Sequence, residues 1–188
     1  GKSSLYAKIH ANDSGTDPYR KATSDVYRDL FNEGSFIGKG IYHVAAFENV
    51  IKNKFPENRI LSHDLLEGAY SRAGLITDIQ LYEEYPSNYI TDLQRRHRWI
   101  RGDWQIATWI IPFVPGFDKK FHRNPISFVS AWKIFDNLRR SLVPIAFLLM
   151  FLAAWAISGD AAFWMDITLG IIFVPIFVQF VWEIYKKP

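Results

Sequence analysis

From Leu142 to Ile157 the chain runs 16 residues without a charge, and from Ala161 to Trp182 it runs 22 with only Asp166 charged. No other feature limits the fold so strongly. Crossing a bilayer core takes about 20 apolar residues. The second run is long enough, and the first becomes so only if the preceding turn joins it. Ser158-Gly159-Asp160 makes a tight connection between them. Arg139-Arg140 stands before the first run and Lys186-Lys187 after the second, which puts both ends on one side by the positive-inside rule. The expectation is a transmembrane helical hairpin over 142–188 with both ends cytoplasmic. The alternative is a helical pair buried in a large soluble core.

The remainder is polar enough to bring mean hydropathy to −0.05. The net charge of +3 is too mild, and its basic residues too dispersed, to point to nucleic acid. There are no cysteines, which excludes disulfides, thiolate metal sites and cysteine nucleophiles. Aromatic residues make up 16%, with seven Trp, a content that suits a sugar-handling cleft and a membrane interface equally. No signal peptide is visible, and the polar opening Gly1-Lys2-Ser3-Ser4 suggests a piece of a longer chain.

Along the first two thirds, Asn12 to Pro18 is a turn cluster within a polar surface loop. Short helices are expected over 24–31, capped by Ser24, and over 44–54. Three glycines surround Lys39 in Gly34-Ser35-Phe36-Ile37-Gly38-Lys39-Gly40. Glycines allow close approach of backbone to a ligand, but the spacing is not that of a P-loop, and a turn before a strand explains it as well. Ser62 or Asp64 caps a helix over 65–73 that Gly74 ends, and alternation predicts a strand over 75–82. A helix follows over 92–109 with Asp92 as its cap, interrupted at Gly102. Ile126 to Asn137 is amphipathic, with Ile126, Val129, Trp132 (or Lys133), Phe135 and then Leu138 on one face. This predicts an interfacial helix lying on the membrane, or else a core helix of a soluble domain.

Two clusters carry chemistry. Asp64, in Ser62-His63-Asp64, is a carboxylate at a helix start. It serves either as a cap or as a base that strips a proton from an attacking hydroxyl. About thirty residues on, Arg95, Arg96 and Arg98 fall within four positions, followed by Trp99. Arg95 and Arg98 share a helix face. Guanidinium groups suit a leaving pyrophosphate and the indole suits a sugar ring. The competing reading is a basic turn against lipid headgroups. The histidines have no zinc-site spacing, so no metal ligand is assigned. Asp103 reads as part of a polar helix-breaking pair.

Ser62-His63-Asp64 followed by Arg95-x-x-Arg98-Trp99 resembles the processive membrane glycosyltransferases that build cellulose, hyaluronan and chitin. The runs Phe31–Tyr42, Leu61–Gly68, His97–Gln105 and Asp136–Leu142 look more closely like the glycosyltransferase region of cyclic β-1,2-glucan synthases. The resemblance implies Asp64 as general base, Arg98 as pyrophosphate contact and Trp99 as acceptor platform. Arg95 stands where the wider family has Gln, and Ser62-His63 replaces Thr-Glu; Arg95, Lys39 and His63 are assigned to substrate binding. The family's Asp-x-Asp motif, which binds UDP-glucose and Mg²⁺ or Mn²⁺, does not occur here. It is expected upstream.

The resulting expectation is an α/β chain. Residues 1–125 form the acceptor-side part of a GT-A-type domain, 126–141 an interfacial helix and 142–188 two transmembrane helices. The chain would be a C-terminal fragment of the transferase region of a multi-pass protein of the bacterial inner membrane, with its catalytic part cytoplasmic. Its partners would be UDP-glucose, a growing glucan, membrane lipid and the rest of the synthase polypeptide. Alone it would be inactive. The alternatives are a synthase of another linkage, such as a cellulose-like one, and a non-catalytic membrane module.

Overall fold

The computed structural model describes residues 4–10, 26–60, 63–76, 78–79, 85–157 and 159–186. The expected turn cluster at 12–18, the caps Ser24 and Ser62, and much of the expected strand over 75–82 lie outside them. The described residues are mostly helical. They form α1 (Leu5–His10), α2 (Val26–Phe31), α3 (Val44–Ile51), α4 (Asp64–Ser71), α5 (Tyr89–Gln105), β1 (Phe113–Pro115), β2 (Phe121–Arg123), α6 (Phe128–Ile157) and α7 (Ala161–Lys186). They divide into two compact units, Gly1–Leu138 and Arg139–Pro188.

Among the described residues, the expected α/β character is reduced to one small sheet. β1 pairs antiparallel with β2, Val114 opposite His122, in the stretch where Pro112, Pro115 and Gly116 mark only an ending in the sequence. Leu75, Ile76, Asp78 and Ile79 belong to no strand.

The first unit is built around Leu65, Leu66, Ile106, Trp109, Val114 and Ile134, flanked by Phe55, Ile60, Tyr70, Ile110 and Ile126. Trp109 is fully buried and its Nε1 donates to Tyr70 Oη at 3.0 Å, which satisfies the one polar atom of a large apolar side chain. Burial pushes the Tyr70 hydroxyl above its ordinary pKa, against the opposing pull of that hydrogen bond. Asn124 ties the β-hairpin down: its Nδ2 donates to the carbonyls of Trp109 at 2.7 Å and Ile111 at 3.0 Å.

Two helix ends differ from expectation. α5 begins at Asn88, whose Oδ1 accepts from Thr91 N at 2.9 Å; Asp92 is inside the helix, not its cap. Gly102 does not interrupt α5, which runs on to Gln105. α4 ends at Ser71, and the left-handed residue after it is Arg72 (φ 60°) rather than Gly74.

α6 is one helix of 30 residues where an interfacial helix and a separate spanning segment were expected. Its buried face in the first unit keeps Lys133, expected there as the alternative to Trp132, and Leu138, and adds Ser130 and Ile134. Trp132 and Phe135 are exposed. Lys133 anchors the buried face. Its ammonium donates to the carbonyls of Glu33 at 2.9 Å and Gly34 at 3.3 Å and lies 4.7 Å from the Tyr27 ring centroid. Ser127 and Ser130 donate to Glu33 Oε2 at 2.7 and 3.0 Å.

In α6 and α7, Phe128–Ala156 and Ala161–Trp182 are long and apolar enough to cross a membrane, with mean hydropathies of 1.6 and 2.1. Only 11% and 6% of their most apolar windows are buried. Helices apolar all round and left uncovered match a lipid environment better than a protein core. Asp160 Oδ1 caps α7 through Phe163 N at 3.1 Å.

Candidate functional site: a carboxylate over a glycine-floored cleft

Asp64 is the first residue of α4. Its Oδ1 accepts from Leu65 N at 2.9 Å, and its side chain keeps 43% of its exposure. A carboxylate at a helix start is favoured by the partial positive charge of the unpaired N–H groups. The loop that follows α2 passes directly beneath it. Gly38 has φ +83°, a conformation that L side chains rarely adopt, and a Cβ there would lie 3.2 Å from Asp64 Oδ2. The loop is seated by contact with the helix: a Cβ on Gly68 would lie 2.7 Å from that of Phe36. Phe36, Gly38, Tyr42, Phe47, Asp64 and Glu67 line a cleft of about 280 Å³. Lys39 is exposed beside Gly38.

His63 has its side chain 10% exposed. Its Nδ1 is 3.7 Å from Asp64 Oδ1 and its Nε2 is 3.7 Å from Asp103 Oδ1, itself 7% exposed. α5 comes this close because residue 102 is glycine: a Cβ there would be 3.1 Å from His63 Cδ2. Asp103 is thus an inward-facing carboxylate, not a helix breaker. Its sequence neighbours disguise it; the only hint is its spacing from Trp99 and Ile106 on one face of α5.

The arginines separate into two groups. Asp92 is 2% exposed and accepts from Arg95 Nη2 at 2.6 Å, Arg96 Nε at 2.8 Å and Tyr6 Oη at 3.1 Å. Burial alone would raise the Asp92 pKa; hydrogen bonds from Arg96, Tyr6 and Arg95 outweigh it and hold the carboxyl below its usual range. Arg95 also lies between two rings, 5.1 Å from the Tyr85 centroid and 4.8 Å from that of Trp99. Arg95 and Arg96 therefore build the helix surface. Arg98 is exposed and has no hydrogen bond or ion pair among the described residues. Trp99 is 37% exposed, with Arg95 against its ring. Arg98 and Trp99 precede Gly102 by four and three residues, one turn along the same face, about 5.4 Å of rise.

Among the described residues, no three His, Asp or Glu side chains gather so as to hold a metal ion. The resemblance places the Mg²⁺ or Mn²⁺ on an upstream Asp-x-Asp, outside these residues.

This is a helical unit, followed by two long apolar helices, in which a half-exposed carboxylate stands over an open cleft; the chain is homologous to part of a glucan synthase. Over 154 residues, 82% of its length, it is 47% identical to the cyclic beta-(1,2)-glucan synthase NdvB of Rhizobium meliloti (strain 1021), and it spans 5% of that relative's length. The resemblance to cyclic β-1,2-glucan synthases read from the motifs thus holds over most of the chain. No protein-family model matches it.

Proposed function

We propose that this chain forms the acceptor side of the transfer centre of a membrane-anchored, inverting cyclic β-1,2-glucan synthase. The observation that carries the reading is the placement of Asp64, half-exposed at a helix start and facing a cleft floored by Gly38. Glucose passes from UDP-glucose to the 2-hydroxyl of the growing glucan. Asp64 takes the hydroxyl proton, the freed oxygen pair attacks the anomeric carbon, and the diphosphate leaves with the electrons of the bond that breaks. Arg98 offers an uncommitted guanidinium to the departing charge. Trp99 offers a ring edge to the acceptor. The donor pocket and any metal belong to other parts of the synthase polypeptide, and α6 and α7 anchor the unit in the bacterial inner membrane, with the transfer centre on the cytoplasmic side.

The test is Asp64→Asn in the complete synthase, in membranes supplied with UDP-glucose and Mg²⁺, following UDP release and glucan formed. The expected loss in kcat is about 10²–10⁴-fold, with normal insertion and folding. His63, not Asp64, holds the cap position of α4; an Asn keeps the oxygen that accepts from Leu65 N, so a purely structural Asp64 would survive the change. Full activity in the variant would remove the base assignment.

A further inference from the structure

The buried end of the site carries a second assignment, which rests on the reading of Asp64 as the base. His63 is nine-tenths buried between two carboxylates. Its Nδ1 makes no hydrogen bond within the described structure and is directed at the one carboxylate that opens onto the cleft. Its Nε2 is directed at the one that does not. A hydrogen bond from one ring nitrogen to a buried carboxylate holds an imidazole in a single tautomer; at 3.7 Å both nitrogens of His63 lie just beyond that distance.

We propose that His63 and Asp103 are positioning residues for the base: Asp103 accepts the Nε2–H of His63, so that the Nδ1 lone pair faces Asp64. The lone pair has its use after the proton moves. Once Asp64 has taken the hydroxyl proton it is a neutral acid, and its O–H donates to Nδ1. That hydrogen bond exists only when Asp64 is protonated, so it strengthens toward the transition state and acts on kcat. The 3.7 Å separations are longer than hydrogen bonds. They shorten by less than an ångström when substrate fills the cleft, as catalytic hydrogen bonds in ligand-free sites commonly do. Gly102 is part of the device, since a Cβ there would lie 3.1 Å from His63 Cδ2 and the ring would have to give by a few tenths of an ångström.

Asp103→Asn reverses the arrangement. The amide N–H donates to Nε2, the proton moves to Nδ1, and Nδ1–H then donates to the Asp64 carboxylate and stabilises its charged form. The titratable groups around Asp64 are the neutral His63, Glu67 on its own helix, Asp103 on α5 and Lys39 beside Gly38 in the loop, with the Tyr42 phenol lining the same cleft. Removing the Asp103 charge also lowers the cost of ionising Asp64. Both effects act in one direction, so the base becomes weaker and the acid limb of the pH–kcat profile moves to lower pH.

The experiment compares wild type, Asp64→Asn, Asp103→Asn and Gly102→Ala in the complete synthase in membranes, following UDP release against pH and UDP-glucose concentration. Asp103→Asn is expected to lower kcat on the order of 10- to 100-fold, to leave the KM for UDP-glucose within about twofold, and to shift the acid limb downward. If its kcat and pH limb match wild type while Asp64→Asn is inactive, the base reading stands and the positioning role is overturned. If Asp64→Asn is active, the base reading fails and this proposal with it. If Asp103→Asn does not fold, as judged by protease resistance in membranes, Gly102→Ala carries the test. It keeps both carboxylates while displacing the ring, and an unchanged kcat and pH limb in that variant overturns the proposal.

Discussion

Asp92 shows how a single buried charge can organise a helix. Two guanidinium groups and a phenol converge on it, and removing the carboxylate strands both arginines. Arg95 and Arg96 retain partial exposure, 22% and 41%, so water softens the loss. Asp92→Ala is expected to destabilise the first unit by ~2–3 kcal/mol, read as a lower melting temperature in detergent. The pH dependence follows from the direction of the shift. The Asp92 carboxyl is held below its ordinary range in the folded state. Its contribution is therefore present above the unfolded carboxylate pKa, about 4, and is lost as pH falls through the lower folded value. Wild type should lose stability in that acid window, and Asp92→Ala should lose less.

At the scale of elements, the contact that matters most is between the glycine-rich loop and α4. Phe36 lies so close to Gly68 that an added methyl group meets Phe36 Cβ and, behind it, the Phe36 backbone, not the free end of a side chain. Gly68→Ala is expected to cost about 1–3 kcal/mol by overpacking. Because the loop carries Gly38 beneath Asp64, the same change should also lower transfer activity. A stability assay and a UDP-release assay on one preparation check both. If stability falls and activity at low temperature does not, the loop does not shape the site. α6 makes the complementary point. Its first turns are held by Lys133, Ser127 and Ser130 to a loop about a hundred residues earlier. A lysine is buried there because backbone carbonyls and a tyrosine ring meet its charge, and the helix runs unbroken through Pro144 into the apolar segment.

For the molecule as a whole, a polar helical unit and an apolar pair of helices share one chain, and they demand different solvents. The apolar windows of α6 and α7 are almost entirely uncovered, which water does not tolerate over such an area. The chain is expected to stay in the membrane pellet after an alkaline carbonate wash. Leu148→Lys together with Leu149→Lys places two charges in the apolar part of α6, at about 2.5–3.5 kcal/mol each near a bilayer centre, and should shift a large share of the chain to the supernatant. Equal retention of the two proteins would mean that α6 does not cross.

The sequence by itself determined what depends on neighbours a few residues apart. The charge-free runs announce α6 and α7, because a helix satisfies its own backbone and needs only enough apolar residues to be stable in lipid. Helical spacing announces α3, α4 and α5 to within a turn or so. The order of Asp64, Arg98 and Trp99 points to a synthase segment, and the 47% identity bears out that relationship. Tertiary structure alone decided where charges would be neutralised. Asp92 became a counterion instead of a cap, Asp103 turned inward to His63, Arg95 was drawn between Tyr85 and Trp99, and of the two residues expected on one face of α6, Lys133 rather than Trp132 was buried. Each outcome turns on desolvation, which a charge survives only beside a partner. Asp92 has Arg95 and Arg96 three and four residues on in its own helix, but other partners come from other elements: Tyr6 for Asp92, His63 for Asp103, Glu33 for Lys133. No local pattern records them. The same holds for the two glycines that matter most. Gly68 and Gly102 look like weak points of helices in the sequence, and in the folded chain they are where a loop and an imidazole ring come close enough to build the site.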